Sequence, residues 1–162
     1  MPSLIDRVAI VTGGATKIGR GVVDVLRSKG ATVVVADIDA EGLAALDAGI
    51  DAQQCDIADD AQLASLVSGT VERHGRLDIV VNLAATYLDD GAETSRTDWL
   101  TALDINLVSG ARLVAEARPH LAASGHGAVI NFTSISSSIA QPGRWVYPVS
   151  KAAIVQLTRA QA

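Results

Sequence analysis

Tyr147 and Lys151 stand four residues apart, and Ser134 lies thirteen positions upstream of the tyrosine. A helix running from Pro148 onward brings Tyr147 and Lys151 onto one face of its first turns. A lysine ammonium beside a tyrosine hydroxyl stabilises the phenolate and draws a pKa of ~10 toward working pH. A tyrosine so placed can give and take protons. Helices also produce Tyr-x-x-x-Lys by chance, so the spacing carries weight only in company.

That company is found near the N-terminus. Residues 8–11 form a short apolar run of strand type, followed by the turn Thr12-Gly13-Gly14-Ala15-Thr16-Lys17-Ile18-Gly19. Ile18, Val22, Val23 and Leu26 then recur at helical spacing, and Gly30 supplies a stop. A second apolar run, 32–36, ends at Asp37, 18 residues after Gly19. Strand, glycine turn, helix, strand and acid in this order make a dinucleotide-binding unit. The glycines let backbone approach a pyrophosphate, whose charge a helix N-terminus favours. Asp37 offers acceptors to ribose hydroxyls and repels a 2′-phosphate. Taken singly, the turn is equally a tight connection and Asp37 equally a strand or helix cap.

The remaining elements must carry these groups to one place. Residues 41–48 read as a short helix and 52–55 as a short strand ending at Asp56. Asp59 or Asp60 caps a helix with Leu63, Leu66, Val67 and Val71 on one face. A buried strand follows at 77–83. Thr97 or Asp98 opens a helix that continues to about Leu121, with a break at Ser109-Gly110. Residues 128–133 are a fifth strand before the last helix. This alternation predicts an α/β protein with a doubly wound parallel sheet of about five strands, a Rossmann fold. Ligands bind beyond the carboxyl ends of such strands. Asp37, Asp56, Asn82 and Ser134 fall at or just after those ends.

Composition narrows the partners. The 162 residues suit a single domain spanning 1–162, and with 49% hydrophobic but 3% aromatic residues its core must be Val, Ile, Leu and Ala. A net charge of -5 with scattered Lys and Arg argues against nucleic acid. One cysteine, Cys55, rules out an intrachain disulfide and suits a reducing cytoplasm; at a strand end it reads as a buried inert thiol. No apolar stretch reaches spanning length and the N-terminus lacks signal-peptide features, so no membrane partner is expected. His74, His120 and His126 lack metal-ligand spacing and read as solvated surface, so no metal is expected.

The ordered set now assembled resembles the short-chain dehydrogenase/reductase family over residues 7–158. It comprises the turn at 12–19, Asp56, Asn82-Leu83-Ala84-Ala85, Asn106, and Ser134 with Tyr147 and Lys151. The resemblance implies that Gly13, Ile18 and Gly19 shape the pyrophosphate turn and that Asp37 favours NAD over NADP. Asp56 and Ile57 would flank the adenine, and the Asn82 motif, with Ala84, would approach the cofactor ribose. Asn106 would hold a water relaying protons to Lys151; the alternative is a helix residue paired to a nearby backbone carbonyl. Ser134 would bind the substrate oxygen, Tyr147 would exchange its proton, and Lys151 would bind the nicotinamide ribose. The implied reaction passes a hydride between the nicotinamide and a small secondary alcohol or ketone. Tyr87, Leu88, Arg144 and Trp145 are candidates to line the substrate pocket.

Three departures qualify the resemblance. Lys17 stands at the usual middle glycine, where its side chain either crowds a phosphate or offers it a cation. Leu83 replaces a usual asparagine, and Ala85 a usual glycine. Family members continue past the Tyr-x-x-x-Lys helix through two more strands. The resemblance therefore implies a C-terminally incomplete domain with one sheet edge open, and the competing function is a nucleotide-binding but catalytically inactive Rossmann domain. Relatives pair through their last two long helices, here near 110–121 and 148–161, implying a homo-oligomer, dimer or tetramer.

Overall fold

The structure, a computed structural model, describes residues 3–162. Five strands form one parallel sheet in the order β3-β2-β1-β4-β5: β1 (Val8–Thr12), β2 (Thr32–Asp37), β3 (Asp51–Gln54), β4 (Ile79–Asn82) and β5 (Ala128–Asn131). The helices are α1 (Lys17–Ser28), α2 (Ala40–Ala44), α3 (Asp60–His74), α4 (Arg96–Leu103), α5 (Ser109–Ser124) and α6 (Val146–Gln161). This is the expected doubly wound fold.

Alternation along the strands builds its two cores, because successive side chains point to opposite faces. Ile10, Val34 and Val80 pack with Leu63, Leu66 and Leu113 from α3 and α5. Ala9, Val11, Val33, Val35 and Val81 pack with Val23 of α1 and Leu43 of α2 on the other face. Burying each such aliphatic side chain contributes roughly 1.5–3 kcal/mol, which aromatic-poor sequence can supply only through numbers. β5 is the outermost strand on its side, and Ile130 is 45% exposed there. Among the described residues, no helix is long and apolar enough to cross a membrane.

Register gathers the candidate site residues. Thr12 is opposite Ala36 and Asn82, and Asn82 is opposite Asn131, so the carboxyl ends of four strands form one rim. The chain winds outward in opposite senses from β1, to β2 on one side and β4 on the other, and the crevice opens between these strand tips.

Several boundaries differ from those read from sequence. α4 starts at Arg96 because the Ser95 hydroxyl accepts the Asp98 N–H at 3.1 Å, capping the helix earlier than Thr97 or Asp98. The break expected at Ser109-Gly110 is instead a π-helical turn, Asp104–Val108. α2 is shorter than 41–48 and capped by Asp39, whereas α3 keeps a cap the sequence offered, Asp59. α6 starts at Val146, which puts Tyr147 inside its first turn and Pro148 where an N–H would lack an intrahelical partner. His74 is not simply solvated, since its Nε2 lies 2.9 Å from Asp51 Oδ2.

Asp78 locks the amino end of the sheet. Fully buried, it accepts the Val8 N–H at 3.0 Å and guanidinium N–H groups of Arg76 at 2.6 and 2.8 Å. Burial alone would raise its pKa, but the Arg76 and Val8 hydrogen bonds outweigh it and hold the carboxyl below the usual range. A depressed carboxyl contributes stability that is present above the unfolded value of ~3.9 and is lost as pH falls through the folded value. Asp78→Ala is expected to cost roughly 1–3 kcal/mol at pH 7. In urea titrations the difference from the unaltered chain should shrink below about pH 4.

Candidate functional site

The glycine turn is shaped by what cannot fit there. Gly13 adopts φ +68, and a Cβ on it would lie 2.7 Å from Ala84 Cα. A Cβ on Gly19 would overlap the Gly13 carbonyl oxygen. Thr16 closes the turn: its hydroxyl donates to the Gly13 carbonyl at 2.7 Å and accepts the Gly19 N–H at 3.1 Å, capping α1. Ile18 is exposed at 61% beside this turn. Lys17, the first residue of α1, is exposed and forms no ion pair among the described residues. An exposed cation beside a helix N-terminus suits an anion.

Asp37 ends β2 nearly buried, and it does two structural jobs. One carboxylate oxygen accepts the Ala15 N–H at 3.0 Å and the other the Asp39 N–H at 3.1 Å. These bonds tie the β2 end to the glycine turn without capping either helix, and the residue also faces a cleft of about 310 Å³ whose walls include Gly13, Thr16, Asp56, Ile57, Ala84 and Ala85. Each carboxylate oxygen retains a free lone pair. Asp56 is itself braced, its N–H donating to Gln62 Oε1 at 2.9 Å. Cys55 on the same wall is buried, and burial with the nearby Asp56 and Asp59 pushes its thiol up to about 11. A thiol at that value is no nucleophile at neutral pH.

The middle of the rim is held by carboxamides. Asn82 Nδ2 donates to Asn131 Oδ1 at 2.8 Å and to the Gly110 carbonyl at 3.3 Å. Asn131 Nδ2 donates in turn to Thr158 Oγ1 and Gln161 Oε1 of α6. Asn106 lies in the π turn, 6% exposed. Its Oδ1 accepts the Thr86 N–H at 2.7 Å, while Nδ2 donates to the Thr86 carbonyl at 3.0 Å and Ser150 Oγ at 3.2 Å. The carbonyl-paired alternative for Asn106 is thus present in the structure. A cavity with about 20 Å³ open to a water centre is bordered by Asn106, Asn82, Asn131 and Lys151, room for about one water.

Ser134, Tyr147 and Lys151 come together at the last strand tip. The Ser134 hydroxyl accepts from the Ser136 hydroxyl at 2.8 Å and from its N–H at 3.3 Å, which singles it out within the serine run. Lys151 is 4% exposed, and its Nζ donates to the Phe132 carbonyl at 2.9 Å while lying 5.6 Å from the Tyr147 ring centroid. Burial lowers the Lys151 pKa. The phenol does not follow expectation. Burial raises the Tyr147 pKa; the Ser134 hydrogen bond pulls it down, and Tyr87 adds to the rise. The ammonium is spent on the Phe132 carbonyl and sits over the ring rather than at the hydroxyl, so burial decides the shift.

The loop after β4 holds what sequence reasoning understated. Tyr87 stacks on Tyr147 with centroids 5.0 Å apart. Arg144 braces that loop by donating to the carbonyls of Asp89 and Tyr87. Leu88 and Trp145 are exposed at 40% and 55%. Asp89, Thr86 and Ser150 carry hydrogen bonds to the site that no spacing in the sequence signals. Leu83 packs with the core beneath α1, so its loss of polarity is matched by burial.

Residues 13–162 match the family model described as enoyl-(acyl carrier protein) reductase. The chain is 33% identical over 168 residues to D-threitol dehydrogenase of Mycolicibacterium smegmatis, covering 98% of this chain and 64% of that one. It is 34% identical over 161 residues to L-fucose dehydrogenase of Oryctolagus cuniculus, covering 96% and 56%. A short chain dehydrogenase/reductase from Burkholderia phymatum, solved in complex with NAD, superposes with TM-score 0.92 at 26% identity, over 99% of this chain and 60% of that one. The chain thus spans between 56% and 64% of the first curated relatives it matches.

Because only two tyrosines occur, the phenol shift is directly measurable. In spectrophotometric titration of the free chain, the transition that disappears in Tyr147→Phe is expected above ~10. A midpoint below that value would mean that the Lys151 charge, not burial, sets the phenol.

Proposed function

The chain belongs to the short-chain dehydrogenase/reductase family, and on that premise we propose that its rim is the site of an NAD-dependent oxidoreductase acting on a small secondary alcohol or the matching ketone. The observation that carries this reading is the Tyr147 ring with the Lys151 Nζ 5.6 Å from its centroid, on the same rim as Ser134 and a glycine turn that a Cβ would block. Relatives named for threitol and fucose make small polyhydroxylated alcohols the first substrates to try.

The cleft walls fit a dinucleotide. Gly13, Ile18 and Gly19 would hold the pyrophosphate, with Lys17 adding a cation. Asp37 would accept from the adenosine ribose, Asp56 and Ile57 would flank the adenine, and Asn82 with Ala84 would border the second ribose. When bound, the nicotinamide supplies the hydride donor or acceptor.

The chain's own residues handle the proton. For ketone reduction, the Ser134 hydroxyl orients the carbonyl oxygen and Tyr147 gives it a proton; burial keeps the phenol protonated and ready. The Lys151 ammonium, 5.6 Å from the ring centroid, would have to leave the Phe132 carbonyl to steady the resulting phenolate directly. Asn106 and the water-sized cavity offer a route for reprotonation through Lys151. Alcohol oxidation runs the same transfers backwards. We assign pairing of copies to α5 and α6, which gives a homo-oligomer, and a single buried thiol fits a reducing compartment such as the cytoplasm.

Tyr147→Phe should lower turnover by at least about 10²-fold without weakening NAD binding measured by calorimetry. Activity surviving that change would sink the mechanism, and NAD binding without any turnover would leave a nucleotide-binding domain only. In the same calorimeter NAD should bind more tightly than NADP, because the Asp37 carboxylate opposes a 2′-phosphate. Equal affinities that separate again in Lys17→Gly would transfer that choice to Lys17.

A further inference from the structure

We propose that Asp89 is a positioning residue for Tyr147: from the loop after β4 it closes the N-terminus of α6 and so fixes where the phenol stands. The proposal rests on Tyr147 as the acid–base group. α6 has no cap of its own, since Trp145 at the cap position makes no side-chain hydrogen bond and Pro148 has no N–H. The first N–H groups of a helix need partners from elsewhere. Asp89 supplies them from 58 residues away: Oδ2 accepts the Tyr147 N–H at 2.7 Å, and Oδ1 accepts those of Trp145 at 2.9 Å and Gly91 at 3.1 Å. A carboxylate at this end is also favoured by the helix dipole.

The same loop touches the tyrosine a second time, through the Tyr87 ring stacked on it. A third tie fastens the loop to the segment before α6, where Arg144 Nη1 donates to the Asp89 carbonyl at 3.1 Å and to that of Tyr87 at 3.4 Å. Backbone, ring and loop are therefore fixed together. Burial alone would raise the Asp89 pKa, but the hydrogen bonds from Trp145, Tyr147, Gly91 and Val146 outweigh it and keep the carboxyl below its ordinary range. At neutral pH the clamp is charged and closed. Displacing the loop after β4 would displace the proton donor with it, a coupling that the Ser134–Tyr147–Lys151 spacing does not contain.

The test compares the full chain with Asp89→Ala, which removes both acceptors, and Asp89→Asn, which keeps one acceptor without the charge. Hydrogen exchange followed by NMR should show the Trp145 and Tyr147 amides exchanging at least tenfold faster in Asp89→Ala, with Asp89→Asn intermediate and the β1 and β4 amides unchanged. In Asp89→Ala, the Tyr147 titration should move down toward that of a free phenol and kcat should fall at least tenfold, while NAD affinity holds. Unchanged amide exchange would overturn the clamp. Faster exchange with an unmoved Tyr147 titration and unmoved kcat would reduce Asp89 to a helix cap and overturn the positioning role. Full turnover in Tyr147→Phe would instead defeat the acid–base assignment, a result the exchange data cannot produce.

Discussion

The Asn106 carboxamide takes the Thr86 N–H, gives one hydrogen bond to the Thr86 carbonyl and another to the Ser150 hydroxyl, all from a 6% exposed position. Breaking any of them would leave a buried polar atom unpaired, at a cost of about 1–3 kcal/mol each. The loop after β4 and the helix bearing Tyr147 are thereby held to one side chain. The π turn that contains Asn106 is what presents it, since the extra residue rotates the carboxamide off the regular helical face. The phenol-bearing end of the rim hangs on this arrangement. A separate carboxamide chain, Asn82 to Asn131, crosses two strands to α6, and the water-sized cavity is bordered by all three asparagines.

Electrostatics at the tyrosine is a contest between burial and a charged neighbour. Coulomb attraction falls with distance and with competing hydrogen bonds, and Lys151 gives its short contact to the Phe132 carbonyl. Burial acts on the phenol regardless of where the lysine points. In the free chain burial wins, which holds the Tyr147 phenol protonated and makes Lys151 a weakened base. The two shifts are complementary: a protonated phenol next to an ammonium that holds its proton less firmly than usual is a poised pair.

The departures from the family pattern are absorbed by packing or exposure. Leu83 joins the apolar cluster beneath α1 and thus keeps its segment anchored without an amide. Ala85 stays small enough to remain a cleft wall. Lys17 sits outside the packed part of the turn, while the glycines with no room for a side chain, Gly13, Gly14 and Gly19, are retained. The turn's steric requirement is met by the positions that need it.

Sequence by itself determined the parallel α/β sheet, the glycine cradle, Asp37 at its strand end and the Ser134, Tyr147, Lys151 set, because hydrophobic period and local spacing encode strands, turns and helix faces. Element ends were less legible, since caps such as Ser95 win by hydrogen bonds that several nearby residues could equally have offered. Only tertiary structure decided that Lys151 bonds a carbonyl instead of the phenol, that Asn106 ties a loop to α6, and that Asp89 closes the helix bearing Tyr147. Those facts depend on side chains separated by 19, 20, 44 and 58 residues meeting at one rim, and distances of that kind are set by sheet register and helix docking rather than by anything periodic along the chain.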